Sequence, residues 1–397
     1  MLNGQPFSSS KQLERRIIIE GWRFIPHSYA IVNQWQLLEL SRRPDVTVKF
    51  VEVPPYRRTW KPTKGLFNPD DELVLQSLLA PDPGEKADVT FRISLPYNFS
   101  RSRSSRTAVF VTAETQALWP DQFADPKLLD ELRQGKLPRE LTIVTPSRWS
   151  AEAYFNAGCP VEQVLIVPHG VDTTTFRPLS ESRSDLRRKL SWMNEEFVFL
   201  SVGAMTGNKG IDLLLRAFCV VSREFPHARL VLKGLDDIFR SGSFLSKSLQ
   251  LLSSQDRDQL HGRVTYLGGS FSNEQMARIY QSVDVYVSPY RAEGFNMPVL
   301  EAAASGVPII CTRGGPTDEF LVGDLARKIE SQKVRTLSMG QEGWQLEPDL
   351  EHLIALMRSA IDDHGWRNMA ADEGPKHVRA NYTWARVVDT FMAGLFR

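Results

Sequence analysis

The chain has 397 residues, too many for one ordinary hydrophobic core and suited to two domains of roughly 150–200 residues each. Hydrophobic residues make up 42% and charged residues 24%, the balance of a soluble globular protein, which excludes a disordered or fibrous class. A net charge of +1 argues against nucleic acid as the main partner, because neutralising phosphates leaves a strongly basic balance.

Residues 1–16 are polar and charged and lack the apolar core of a signal peptide, and no later run approaches ~18 uninterrupted apolar residues. Cys159, Cys219 and Cys311 are odd in number, widely spaced and set in apolar stretches, the pattern of reduced thiols that serve as packing residues. A cytoplasmic location is expected, and any membrane contact would be peripheral.

In the first half, short β-branched runs alternate with helical patterns. Strands are expected at 17–19, 46–53 (VTVKFVEV), 89–93, 108–112 and 141–144, the last leading through Thr145, Pro146 and Ser147 into a helix over 151–157. Between the second and third of these runs, 56–64 (YRRTWKPTK) mixes basic and aromatic side chains, and 100–106 (SRSRSSR) is locally biased. Both read as solvated loops or, more sharply, as contacts for an anionic acceptor or lipid headgroups.

After the polar stretch 178–188, taken as the interdomain linker, a second series begins: 197–202 (FVFLSV), a Gly-rich turn, an apolar helix over 211–221, then strands at 229–233, 264–267, 283–288 and 307–311. The last helices fall near 349–362 and 384–396. Alternation of this kind requires parallel sheets covered on both faces by crossover helices. The fold class is therefore α/β, with two Rossmann-like doubly wound domains facing across a cleft. Domains are expected at 1–177 and 178–381, with 382–397 a C-terminal helix returning to the first. Ligands bind at the carboxyl ends of such strands, so the loops that follow them are where chemistry is sought.

The most informative segment is 291–306 (RAEGFNMPVLEAAASG), where a strand runs into a turn and then a helix, with Glu293 and Glu301 eight positions apart. Gly294 frees the backbone, and the helix opening near Met297 and Pro298 offers unpaired N–H groups and the positive end of its dipole to phosphate oxygens. A second constellation, 201–210 (SVGAMTGNKG), directly follows the FVFLSV strand, the place of a phosphate-binding turn. Lys209 stands there to neutralise a diphosphate.

With these segments the chain resembles the retaining GT-B glycosyltransferases that carry an E-x7-E motif, the glycosyl transferases group 1 family, over essentially its whole C-terminal half. The resemblance implies that Glu293 contacts the donor sugar and supports catalysis, that Glu301 binds the ribose hydroxyls, and that the amides of Phe295, Asn296 and Met297 hold the diphosphate. In the family's phosphate loop an arginine follows the glycine, whereas Ala204 follows Gly203 here. Lys209, Asn208 and the helix amides must then do more, or another cation substitutes. The stretch 166–178 (IVPHGVDTTTFRP) resembles the crossing between domains, with His169 at a turn near the cleft. The loop 313–319 resembles the one in which Glu319 plays a structural part.

The first domain departs from the pattern. A Gly-Gly turn usually follows the first strand, but 20–30 reads EGWRFIPHSYA, so that His27, Ser28 and Tyr29 give the cleft a different lining. A histidine that touches the transferred sugar often ends the fourth strand; 111–115 (VTAET) places Glu114 there instead. Glu114 joins Glu293 and Lys209 as catalytic candidates. Gly203, Asn208, Lys209, Phe295, Asn296, Met297 and Glu301 are donor-binding candidates, and His27, Ser28 and His169 are candidates for acceptor or sugar contact.

The expected function is transfer of a sugar from a nucleotide-diphosphate sugar to an acceptor by front-face substitution, with no cofactor beyond that co-substrate. No metal site is expected: the Asp-x-Asp triplet Asp256-Arg257-Asp258 lies in a helix-like stretch rather than after a strand. A catalytically silent sugar-nucleotide binding protein is the alternative, favoured by Ala204 and by the segment 20–30. A nicotinamide-dependent oxidoreductase would need a G-x-G-x-x-G turn, which the chain lacks, and a phosphorylase would need a lysine-anchored pyridoxal phosphate site.

Overall fold

A computed structural model describes residues 14–179, 183–190, 192–338 and 340–396. Residues 1–13 and part of the linker stretch at 178–188 lie outside these residues. The first lobe runs β1 (Arg15–Gly21), α1 (Ser28–Ser41), β2 (Val46–Glu52), α2 (Pro69–Ser77), β3 (Val89–Ile93), β4 (Arg106–Phe110), α3 (Lys127–Arg133), β5 (Leu141–Thr145), α4 (Arg148–Asn156) and β6 (Val164–Ile166). Its strands form one parallel sheet in the order β2-β1-β3-β4-β5-β6. Ile17, Ile19, Phe91 and Ile143 are buried, as strands covered on both faces must be.

The second lobe runs α5 (Arg183–Lys189), β7 (Phe197–Val202), α6 (Ile211–Glu224), β8 (Ala228–Lys233), α7 (Asp236–Phe239), α8 (Ser241–Gln250), α9 (Ser254–Leu260), β9 (Val264–Leu267), α10 (Asn273–Ser282), β10 (Val285–Ser288), α11 (Met297–Ala304), β11 (Ile309–Thr312) and β12 (Ala326–Ile329). An antiparallel hairpin, β13 (Ser331–Ser338) and β14 (Gln341–Pro348), follows, and then α12 (Leu350–Asp362), α13 (His364–Asn381) and α14 (Trp384–Leu395). The second sheet is also parallel, in the order β12-β11-β10-β7-β8-β9. Counted from its own first strand this is the order 3-2-1-4-5-6, which reverses between β7 and β10. The loops after β7 and β10 therefore lie side by side at the carboxyl edge of the sheet, at the reversal where doubly wound sheets bind ligands.

Several elements differ from the sequence reading. α13 was not expected, because Pro375 lies within it; Trp366 and Val378 are buried, and this packing holds the helix together past the proline. The short strands β6 and β12 and the β13–β14 hairpin also escaped the pattern analysis, the hairpin because 331–348 is largely polar. No helix of the described residues is long and apolar enough to cross a membrane.

α14 leaves the second lobe and completes the core of the first. Trp384, Val387, Val388, Phe391 and Leu395 are buried among first-lobe side chains, Phe391 meets Phe91 edge-on at 4.8 Å, and Trp384 stacks on Trp35 at 6.2 Å. The two crossings between lobes run side by side, with the Val171 amide donating to the Tyr382 carbonyl at 2.9 Å. Gly170 makes this approach feasible, since a Cβ there would come within 2.8 Å of the Trp384 backbone.

Candidate active site

Two loops of the second lobe meet at the strand reversal. After β7, the chain turns through Gly203 and Met205 into a short 3-10 turn at Gly207–Lys209, and Gly210, with φ +67°, starts α6. A side chain at 210 is excluded twice, by that dihedral and by the Pro289 carbonyl oxygen, which would lie 1.9 Å from its Cβ. After β10, Asn296 adopts φ +80° and starts α11, its side-chain Nδ2 donating to Ser288 Oγ at 3.0 Å. Neither α6 nor α11 has a side-chain N-cap, whereas α4, α10 and α12 are capped by Ser147, Ser272 and Asp349. The N-cap residues of the two helices that open at the reversal thus take up none of the first-turn amides.

Lys209 and Glu293 meet here. The lysine stem lies along Gly203, and Nζ donates to Glu293 Oε1 at 2.6 Å. Glu293 is 6% exposed. Burial pushes its carboxyl above the usual range while Lys209 pulls against that shift. Burial also works against the Lys209 ammonium, but Glu293 and Glu114 outweigh it and hold the group above the ordinary lysine range. Asn208 ties the two loops together: its backbone carbonyl accepts from the Arg291 amide at 2.7 Å, and its Nδ2 donates to the Ala292 carbonyl at 3.2 Å.

Asn208 also reaches across the cleft, its Nδ2 standing 3.0 Å from Glu114 Oε2. Glu114 sits on the turn after β4, which is fixed from below by buried phenols. Tyr29 lies 2.8 Å from both Tyr97 Oη and Thr112 Oγ1, and Tyr97 Oη donates to the Thr112 carbonyl at 3.0 Å. From the side, Trp149 Nε1 donates to the Glu114 carbonyl at 2.8 Å. Glu114, Asn208, Lys209 and Glu293 therefore form one continuous polar chain drawn from both lobes.

Glu301 lies on α11, where Tyr280 of α10 donates to its Oε2 at 2.8 Å. Burial pushes this carboxyl up to about 7, against the pull of the Tyr280 hydroxyl. Phe295 is buried, stacked on Phe320 at 4.7 Å. His169 lies among Phe295, Phe110 and Trp384 at the interlobe crossing, and burial holds its imidazole down at about 3, so it is neutral. His27 caps α1, accepting from the Tyr29 amide at 3.1 Å, and packs on Trp60 and on Phe239 of the opposite lobe; burial lowers it to about 4. Ser28 is exposed at the first position of α1. His27 and Ser28 thus stand at the first lobe's edge of the cleft, apart from the Glu114–Glu293 chain.

Further residues shape this site. Arg291 could have replaced the arginine missing at 204, but its guanidinium is committed to Asp212 at 2.7 Å, Glu347 at 3.0 Å and the Gly207 carbonyl at 3.0 Å. It works as a strut between the two loops and β14. The hairpin reaches the other lobe, the Trp344 amide donating to the Thr115 carbonyl at 2.6 Å, beside Glu114. Glu319 accepts from the Arg148 and Trp149 amides at 2.8 and 3.1 Å and so satisfies the opening of α4 from the opposite lobe. Ser147 Oγ donates to the Gly294 carbonyl at 2.6 Å. Of Arg291 and Trp344, to which the sequence assigned no role, Arg291 lies two positions before Glu293, where the motif could have drawn attention to it. Asp256, in the Asp-x-Asp triplet, lies on α9 and pairs with Arg223.

Residues 196–360 match the family model Glycosyl transferases group 1. The match falls within the C-terminal lobe. The chain is similar to the mannosylfructose-phosphate synthase of Agrobacterium fabrum, 26% identical over 246 residues, which cover 59% of this chain and 48% of that protein. It is also similar to the lipopolysaccharide 1,2-N-acetylglucosaminetransferase of Salmonella typhimurium, at 25% over 65% of this chain and 63% of the relative. A third relative, the D-inositol 3-phosphate glycosyltransferase of Mycobacterium tuberculosis, is 26% identical over 60% of this chain and 45% of its own. The matches thus span about half the length of these curated relatives. The whole fold is shared with sucrose-phosphate synthase from Thermosynechococcus elongatus, with TM-score 0.68 and 16% identity, covering 96% of this chain and 98% of the other. It is shared also with Anabaena HepE, crystallised with UDP and glucose, with TM-score 0.66, 14% identity and coverage of 96% and 99%. Both lobes therefore have the GT-B architecture.

Proposed function

We propose that the chain transfers a sugar, with retention of its anomeric configuration, from a nucleoside-diphosphate sugar to a hydroxyl acceptor held by the first lobe. The observation that carries this is the buried Lys209–Glu293 pair at the strand reversal of the second sheet, between the uncapped openings of α6 and α11. Glu301, with one oxygen on Tyr280, keeps its other oxygen for the ribose hydroxyls. The amides of Phe295, Asn296 and Met297, with Gly203 and Lys209 opposite, receive the diphosphate.

In the reaction the bond from the anomeric carbon to the diphosphate oxygen breaks while the acceptor oxygen bonds to that carbon on the same face. The acceptor proton passes to the departing phosphate oxygen, so no separate base is needed. Positive charge developing on the sugar is met by Glu293, with Glu114 beside it. Negative charge developing on the diphosphate is met by Lys209 and the helix amides. Charges fixed in a cleft shielded from water act more strongly than they would in solvent.

The donor reading is supported by the HepE structure with UDP and by relatives named as glycosyltransferases. Metal independence and the lack of a further cofactor belong to the same proposal, since Lys209 and the amides take the part that a divalent ion plays elsewhere. The alternative, a silent sugar-nucleotide binder, is favoured by one feature, Ala204, which leaves the phosphate loop one cation short. A thermal-shift panel of UDP, GDP and ADP tests the donor site, because a ligand that binds only the folded chain raises its melting temperature. One base should stand out, and no shift with any of them would overturn the proposal. Inversion in the product would overturn the front-face route, and absence of turnover would favour the silent binder.

A further inference from the structure

Glu114 stands on a turn that its own lobe holds only in part. Gln116, two positions on, has φ +53°, a left-handed conformation that a residue with a side chain keeps only where its surroundings impose it. Within the first lobe the restraint comes from α4. Trp149 Nε1 donates to the Glu114 carbonyl, and Gln116 Nε2 donates to the Trp149 carbonyl at 3.0 Å and to Glu152 Oε2 at 2.7 Å. The peptide between these two holds belongs to the other lobe, since the Thr115 carbonyl accepts from the Trp344 amide of β14 at 2.6 Å. Gly343 is buried against the same turn: a Cβ there would come within 2.5 Å of the Thr115 carbonyl oxygen and 3.0 Å of Ala117 Cβ. Lys333 of β13 adds a hold on α4, lying over the Trp149 and Trp344 rings at 4.9 and 5.3 Å and pairing with Glu152 at 3.7 Å.

The other end of the same strand is anchored beside Glu293. The Leu346 amide donates to the Arg291 carbonyl at 2.7 Å, and Glu347 accepts from the Arg291 guanidinium at 3.0 Å, two positions before the glutamate. An isolated two-stranded hairpin is marginal in water, but this one is rooted by those contacts and by buried Leu346. β14 is paired with β13 along its whole length, from Ser331–Pro348 to Ser338–Gln341. Strand alternation puts Gly343 and Glu347 on one face of it, roughly 13 Å apart. A paired strand keeps such a span where a loop would not. The spacing between the loop that carries Glu293 and the turn that carries Glu114 is therefore set by β14.

We propose that Gly343 and Trp344 are positioning residues: the β13–β14 hairpin of the second lobe sets the place of the Glu114 carboxylate opposite Glu293 and so completes the first lobe's half of the site. The proposal rests on the transfer reaction above and on Glu114 acting in it. Gly343→Ala sets a methyl against the Thr115 carbonyl and pushes the turn off the hairpin, while Gly203, Lys209 and Glu293 are left untouched. The full chain, G343A, E114Q and the double variant are compared with UDP-glucose and GDP-mannose as donors. Turnover is read as release of the nucleoside diphosphate, and affinity for free UDP and GDP is read by calorimetry. G343A should keep its nucleotide affinity and lose about tenfold or more in turnover, since a misplacement of about 1 Å costs up to about a hundredfold. In the E114Q background the same substitution should cost less than about twofold, because the group that the hairpin positions is already gone. A hairpin that only braced the lobes would cost the same in both backgrounds. Thermal melts check that each variant is folded. If G343A is not, K333Q/R335Q takes its place in the same cycle, loosening the hairpin from the Trp149 and Trp344 rings through two exposed side chains. Equal losses in the two backgrounds, unchanged turnover in G343A, a matching loss of nucleotide affinity, or wild-type turnover in E114Q overturns the proposal and leaves the donor site standing. Absence of nucleotide binding or of turnover in the wild type overturns the transfer reaction, and this assignment with it.

Discussion

Lys209 Nζ and Glu293 Oε1 stand 2.6 Å apart where the loops after β7 and β10 meet, an approach that Gly210 permits because a Cβ there would strike the Pro289 carbonyl. Each group neutralises the other, and an arriving diphosphate must compete with Glu293 for the ammonium. Glu293→Gln keeps the shape and removes the charge. Turnover should fall by about a hundredfold to a thousandfold while nucleoside-diphosphate affinity holds or rises, as read by steady-state kinetics and calorimetry. Lys209→Ala strips the partner from a buried carboxylate and should cost about 3 kcal/mol in denaturant unfolding, with loss of nucleotide binding.

Glu301 sets a pH dependence. Its carboxyl is raised to about 7 in the folded chain, so the folded state binds this proton more tightly than the unfolded one. Its contribution to stability is therefore complete at low pH and falls as pH climbs from the ordinary glutamate range to about 7. Wild-type stability should drop relative to Glu301→Gln, by on the order of 2–3 kcal/mol, between about pH 4.5 and about pH 8. Nucleotide affinity should move the other way, rising through pH 7 in the wild type as the carboxylate forms and staying low and flat in the variant. Parallel pH profiles for the two proteins would remove Glu301 from the binding site.

Ala204 leaves the loop after β7 without a second cation, and Arg291 is held by Asp212 and Glu347. Ala204→Arg should tighten nucleoside-diphosphate binding by roughly tenfold, the value of one charge-assisted hydrogen bond. Unchanged affinity in calorimetry would show that the loop carries no phosphate at this position.

Glu319 joins the lobes by accepting two amides at the start of α4. Glu319→Ala should lower stability by about 1 kcal/mol, the worth of a helix cap, and should reduce turnover more than nucleotide affinity, because it loosens the lobe that carries Glu114 and leaves the phosphate loop intact. An equal loss in both would place Glu319 in the donor site itself.

The two sheets were legible because their strands are unbroken apolar runs such as 197–202, and because Gly210 and Pro298 punctuate the helices that follow. The second lobe's half of the site was legible for a related reason: Lys209, Glu293 and Glu301 lie at fixed distances from those strand ends. What pairs with them was not. Tyr280 meets Glu301 from another helix, and Asn208 meets Glu114 across the cleft, contacts set by lobe packing to which sequence spacing gives no access. The β13–β14 hairpin stayed hidden because its residues are largely polar, and α13 because Pro375 reads as a helix stop. In the first lobe, His27 and His169 look alike as histidines near turns, yet one caps a helix at the cleft edge and the other is sealed among aromatic rings at the crossing.

α14 has a bearing on how the molecule is made. The first lobe emerges early from the ribosome, but the face of its core meant for Phe391 and Val388 stays open until residues 384–395 have been synthesised. Its sheet must wait with wet, sticky flanks through the whole production of its neighbour, a window in which nascent chains aggregate or recruit chaperones.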